Sequence, residues 1–212
     1  MSTGDSPPTV VAAFDSDGTV TRKDTLLPFL CLGIGWPRFL SVMVRCSPWL
    51  IGFALRVVTN HVAKCRLLHL ALAGRAALEV EVEGWTSHWL TALPLQLRSN
   101  VMAQLAGHQR AGHCCILVSA SPDVYLRQVA KHLGFDALIC TEMAVSDGVL
   151  TGDLRAENCH GEEKVARLKH WMAEQQLQRE CMTLYAYGDT KGDKPMLRMA
   201  DHAWYRGKPW SH

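Results

Sequence analysis

Two short apolar runs, residues 9–14 (TVVAAF) and 114–118 (CCILV), each break off at a cluster of small polar residues. A strand covered on both faces reads as such an unbroken run, because neither side can be polar. Further runs at 137–140 and 182–187 are separated by a segment of helical period, 161–176, with Val165, Leu168 and Met172 on one face. After the second run, Ser121 suits a helix cap, Pro122 its first position, Asp123 the positive end of its dipole and Gly134 its stop. Asp147-Gly148 between AVS and VLT predicts a tight hairpin. Strands alternating with helices predict an α/β fold built on a Rossmann-like open parallel sheet.

Residues 22–106 break that rhythm. They are rich in Leu, Trp and Arg, helical in period and without a clear strand, which predicts an α-helical cap inserted after the first strand. The core is then expected at 9–21 plus 107–212, and Met1 to Pro8 as a disordered leader. Arg38, Arg45, Arg56, Lys64 and Arg66 interrupt the apolar stretch 26–72 too often for a membrane span. A formal charge of +2 gives no reason to expect a nucleic-acid partner. Eight cysteines without C-x-x-C spacing, behind an N-terminus without a secretory pattern, point to reduced thiols in the cytoplasm and against a zinc site.

In an open α/β sheet, ligands bind beyond the carboxyl ends of the strands. Four such places carry chemistry. Asp15 and Asp17, two positions apart after the first run, project to the same side if the backbone stays extended. One carboxylate can attack phosphorus while the other handles the leaving-group proton, and Gly18 lets the backbone turn closely around a phosphate. Ser119 follows CCILV, where its hydroxyl and the neighbouring amides can hold phosphate oxygens. Lys164 offers a cation, and Gly188-Asp189-Thr190-Lys191-Gly192-Asp193 offers oxygen ligands suited to Mg2+.

In order and placement these four segments resemble the motifs of the haloacid dehalogenase superfamily. The strings VSASPDVYL, NCHGEEKVARL and YGDTKGDKPML are similar to its phosphoserine-phosphatase-like subfamily, in which the phosphatidylglycerophosphatase C family is also similar to this chain. The resemblance implies a Mg2+-dependent phosphomonoester hydrolase with Asp15 as nucleophile, Asp17 as general acid/base, and Ser119 and Lys164 as phosphate ligands. It implies a metal held by Asp15, Asp189 and the main-chain carbonyl of Asp17, with Asp193 supporting the acidic loop. His160 stands where some relatives carry the motif lysine, and Asp24 where phosphoserine phosphatases carry a glutamate for the substrate amino group. A phosphotransferase or mutase, or a phosphoserine phosphatase proper, is the alternative. The substrate is expected to be a small or lipid phosphomonoester.

The 54 residues 25–78 hold Arg38, Arg45, Arg56, Lys64, Arg66 and Arg75 but no Asp or Glu. Either these cations solvate outer helix faces, or Trp36, Phe39, Trp49, Leu50 and Phe53 touch lipid while the cations hold anionic headgroups at the inner face of the membrane.

Overall fold

The apolar runs form the centre of a single sheet. In the computed structural model, which describes residues 9–77, 80 and 84–211, the central strand β1 (Thr9–Phe14) lies between β2 (Cys114–Pro122) and β6 (Met182–Gly188). Beyond β2 stands β3 (Ala137–Thr141), and beyond β6 stand β7 (His202–Tyr205) and β8 (Lys208–Trp210). Within this six-stranded sheet all pairings are parallel except that of β7 with β8.

Alternation along β1 explains its composition. Ala12 and Phe14 face one apolar layer, with α5 (Ser99–Arg110) and α6 (Asp123–His132); Val11 and Ala13 face the other, with α7 (Glu162–Glu174) and α8 (Lys194–Met199). Phe14 is level with Leu117 of β2 and Tyr187 of β6. The residues following each strand therefore emerge side by side, at the place where the strand order reverses direction.

Helix α6 ends as its glycine predicts. Gly134 has φ +73°, and the amides of Gly134 and Phe135 donate back to the carbonyls of Lys131 and Ala130. Its start differs from expectation: β2 runs on to Pro122, the helix opens at Asp123, and Ser121 caps nothing because its hydroxyl is engaged elsewhere. The hairpin of β4 (Met143–Ser146) and β5 (Val149–Leu154) turns at Asp147 and Gly148, both with positive φ.

Between β1 and β2 the described residues form α1 (Leu26–Ile34), α2 (Trp36–Ala54), α3 (Asn60–Leu72), α4 (Trp85–Ala92) and then α5. The expected boundary at 106 falls inside α5, whose Val101 and Leu105 are buried in the sheet-facing core. A bridge from Thr21 to Leu97 ties the two ends of the preceding segment together, which makes 22–97 the better proposal for an inserted unit. None of the helices among the described residues is long and apolar enough to cross a membrane.

One aromatic cluster joins this segment to the core. Phe29 of α1 stacks on Tyr125 of α6 at 4.5 Å between centroids, with Trp85 and Trp89 of α4 at 5.9 and 6.3 Å from it. Phe29 is fully buried, so Phe29→Ala leaves a void that α1 and α6 must share. Urea denaturation is expected to show a loss of about 3–5 kcal/mol. A loss below about 1 kcal/mol would mean that α1 is not held through this contact.

Candidate active site

Asp15 follows β1 directly, and its amide donates to the carbonyl of Tyr187 at 2.9 Å, so the strand pairing itself fixes its backbone. The side chain is buried. Lys164, in the first turns of α7, reaches under the sheet end and donates to Asp15 Oδ1 and Asp193 Oδ1, each at 2.6 Å, and to the carbonyl of Val118 at 3.1 Å. One ammonium thus ties together β1, β2 and the loop after β6. Lys164, rather than His160, meets Asp15. The His160 ring instead lies against Gly192, leaving no room there for a β-carbon.

Asp193 has little acceptor capacity to spare. Its Oδ1 takes Lys164, while Oδ2 takes the amides of Asp189 and Thr190 and the Thr190 hydroxyl at 3.2, 2.8 and 2.7 Å. Burial pushes its pKa up, but Lys164 and the Thr190 donors outweigh that and hold it below the ordinary carboxylate value. Asp193 therefore shapes the loop that presents Asp189. Asp189 is half-buried, accepts from Thr19 Oγ1 at 3.3 Å and lies so close beneath Gly18 that a side chain there would strike it.

Asp17 is turned the other way. Its Oδ1 accepts from the amide and hydroxyl of Thr25 at 2.8 and 2.6 Å, and its Oδ2 from the Ser121 hydroxyl at 2.5 Å. Thr25 in turn contacts the Tyr125 hydroxyl at 2.8 Å. Burial and then the charge of Asp24 raise the Asp17 pKa, against the pull of the Ser121 and Thr25 donors. Asp24 itself is exposed and accepts the Leu26 amide at the start of α1. Ser119 is buried, and its hydroxyl accepts from the Ser121 amide at 3.0 Å.

Five contributors escaped the sequence reading. Thr25 and Ser121 anchor Asp17, yet single hydroxyls carry no pattern of their own. Lys64 of α3 donates to the carbonyl of Ala120 at 2.8 Å and to Asn158 Oδ1 at 3.2 Å, joining the inserted helices to the end of β2 and to the loop before α7. Asn60 extends this clasp by accepting from Asn158 Nδ2 at 3.0 Å. In the sequence Lys64 reads as one more surface cation.

Carboxylate oxygens of Asp15, Asp189 and Asp193 lie within 4.8 Å of one another. Burial, opposed by Lys164 but reinforced by Asp193 and Asp17, raises the Asp15 pKa to about 7. Asp189 is raised as well, by burial and by Asp193. Lys164 is pulled down by burial, yet its two carboxylate partners outweigh this and keep it charged. The cluster is short of positive charge, and an all-oxygen donor set fits a hard divalent cation. Beside Asp189 opens a cavity of about 250 Å³, lined among others by Thr19, Arg98, Asn100, Trp204 and Arg206.

The family model of haloacid dehalogenase-like hydrolases matches residues 12–198. Protein CicA of Caulobacter vibrioides is 34% identical over 205 residues, covering 94% of this chain and 88% of its own. A probable phosphatase of Mycobacterium tuberculosis is 34% identical over 99 residues, 47% of this chain and 33% of its own. The crystal structure of a Bordetella pertussis protein of unknown function superposes with a TM-score of 0.80 at 23% identity, covering 92% of this chain and 89% of that one. A phosphoserine phosphatase solved as a phospho-aspartyl intermediate analogue superposes with a TM-score of 0.63 at 17% identity, covering 92% and 85%. With a matching family model across nearly its whole length and the four motif segments converging on one sheet end, the chain belongs to the haloacid dehalogenase-like hydrolases and is a phosphatase of that family.

Proposed function

We propose that the chain is a Mg2+-dependent phosphomonoesterase that carries the phosphoryl group on Asp15. The observation that carries this reading is the Lys164 bridge, which holds Asp15 by Oδ1 alone and leaves Oδ2 for attack on phosphorus. As the Asp15–phosphorus bond forms, the bond to the leaving oxygen breaks, and Asp17 supplies the proton that oxygen needs. Its raised pKa favours carrying that proton. Three accepted hydrogen bonds hold Asp17 in place while one of its roughly four lone-pair sites stays open. In the second half, Asp17 takes a proton from the water that attacks phosphorus, phosphate leaves, and Asp15 is restored as a carboxylate. Lys164, the Ser119 hydroxyl and the turn at Gly18 would hold phosphate oxygens. A Mg2+ ion held by Asp15, Asp189 and the Asp17 carbonyl would lower the repulsion between carboxylate and phosphate.

The substrate is a phosphomonoester that reaches the site past the inserted helices, whose Lys64 and Thr25 border it. Eight unpaired cysteines suit a cytoplasmic setting. A hydrolysis screen with Mg2+ over amino-acid, sugar, nucleotide and lipid phosphates tests the reading directly. Phosphate release into water on at least one class is expected; transfer to a second substrate hydroxyl without net release would favour a phosphotransferase.

Asp15→Asn keeps the shape of the side chain but removes the nucleophilic charge. On the best substrate it is expected to lower kcat by about three orders of magnitude or more. More than about a tenth of wild-type kcat would remove Asp15 from the chemistry.

The metal has a readout that needs no turnover. A ligand that binds only the folded state raises Tm, so Mg2+ should stabilise the wild-type protein against heat and should do so much less for Asp189→Ala. Equal Mg2+-induced shifts in both proteins would take Asp189 out of the metal site.

A further inference from the structure

Helix α2 has three faces. Val42 and Cys46 are buried and Phe39, Met43 and Leu50 pack against the core. Trp36, Leu40, Val44 and Ile51, continued by Leu55 just past the helix end, recur at near-helical spacing on another face and are 66, 53, 64, 58 and 69% exposed. Arg38 and Arg45 lie along the third, exposed edge, and Arg56 follows the stripe. Ten of the thirteen large apolar side chains exposed among the described residues fall between Leu27 and Val62, so the exposure is concentrated in the segment from α1 to the start of α3.

The structure also sorts the cations of this segment. Lys64 is committed to Ala120 and Asn158, Arg66 lies over the Trp49 ring at 4.6 Å, and Arg75 over the Trp85 ring at 4.9 Å. Arg38, Arg45 and Arg56 point to solvent beside the stripe. Of the side chains expected from sequence to touch lipid, only Trp36 and Phe53 are exposed. Phe39 and Leu50 face the core, and Trp49 is covered by Arg66, because the helix turns that side inward.

We propose that this face of α2 docks in plane on an anionic lipid bilayer, the stripe entering the boundary between headgroups and acyl chains and the three arginines meeting anionic headgroups. Charge argues against a second copy as the occupant. A twofold interface sets one patch against itself, which would bring three arginines against three with no Asp or Glu in residues 25–78 to offset them.

The test is co-sedimentation with vesicles of phosphatidylcholine, with or without phosphatidylglycerol, at low salt. Vesicle binding requires no turnover, so its failure is separate from any failure of the phosphatase reading. The wild-type protein is expected to sediment with the anionic vesicles, to be released by salt, and to bind pure phosphatidylcholine weakly. Combining Arg38→Glu, Arg45→Glu and Arg56→Glu should lower the partition coefficient on the order of a hundredfold. Combining Leu40→Ser, Val44→Ser and Ile51→Ser should also abolish sedimentation. Both variants change exposed side chains, so wild-type circular dichroism and hydrolysis of a soluble aryl phosphate are expected. Absence of wild-type binding to anionic vesicles, or variants that bind as wild type does, would overturn the proposal. So would a dimer by light scattering that the serine variant dissolves while vesicles capture nothing.

Discussion

The ammonium of Lys164 sits between two buried carboxylates, and the working geometry of this sheet end depends on it. Removing one partner of a buried ion pair leaves a charge without compensation, at a cost of about 3–5 kcal/mol. Here that partner serves Asp15 and Asp193 at once, and the carbonyl of Val118 as well. The parallel register of β1 with β2 and β6 brings these groups level, and α7 delivers the cation from the opposite layer. Strand register, helix placement and local charge therefore describe one constraint at three scales.

The second carboxylate obeys a different constraint. Asp17 is held by Thr25, at the entry to α1, and by Ser121, at the end of β2. Thr25 touches Tyr125, whose ring stacks on Phe29. The proposed acid/base is thus wired into the packing that seats the inserted helices. Lys64 makes a second tie, from α3 to the carbonyl between Ser119 and Ser121. A shift of those helices would be felt at Asp17 and at the proposed phosphate-holding end of β2 together.

What was legible in the sequence follows from which signals are local. Strands buried on both faces announce themselves as apolar runs, and the carboxylates and lysine stand directly at strand or helix ends, where a short motif suffices. Asp147 and Gly148 gave the hairpin because positive φ restricts residue type. By contrast β7 and β8 are short, partly exposed and at the sheet edge, where the run of apolar residues fades. Ser121 reads as a cap from its neighbours, yet its hydroxyl serves Asp17, 104 positions away. Lys64 reads as a surface cation for the same reason: its partners come from β2 and from the loop before α7. Which side of α2 faces the core was also hidden, because apolar residues occupy two of its three faces.

Asp15 as the proposed nucleophile would carry the phosphoryl group as an acyl phosphate, and that covalent intermediate can be trapped directly. The protein would be mixed with substrate, quenched within a single turnover, and reduced with borohydride, which converts an acyl phosphate to an alcohol but leaves a free carboxylate unchanged. Mass spectrometry of the peptide carrying Asp15-Ser16-Asp17 is then expected to show homoserine at position 15 and intact aspartate at position 17. Reduction at Asp17 instead, or phosphate release in the first turnover with no reducible residue in this peptide, would contradict it.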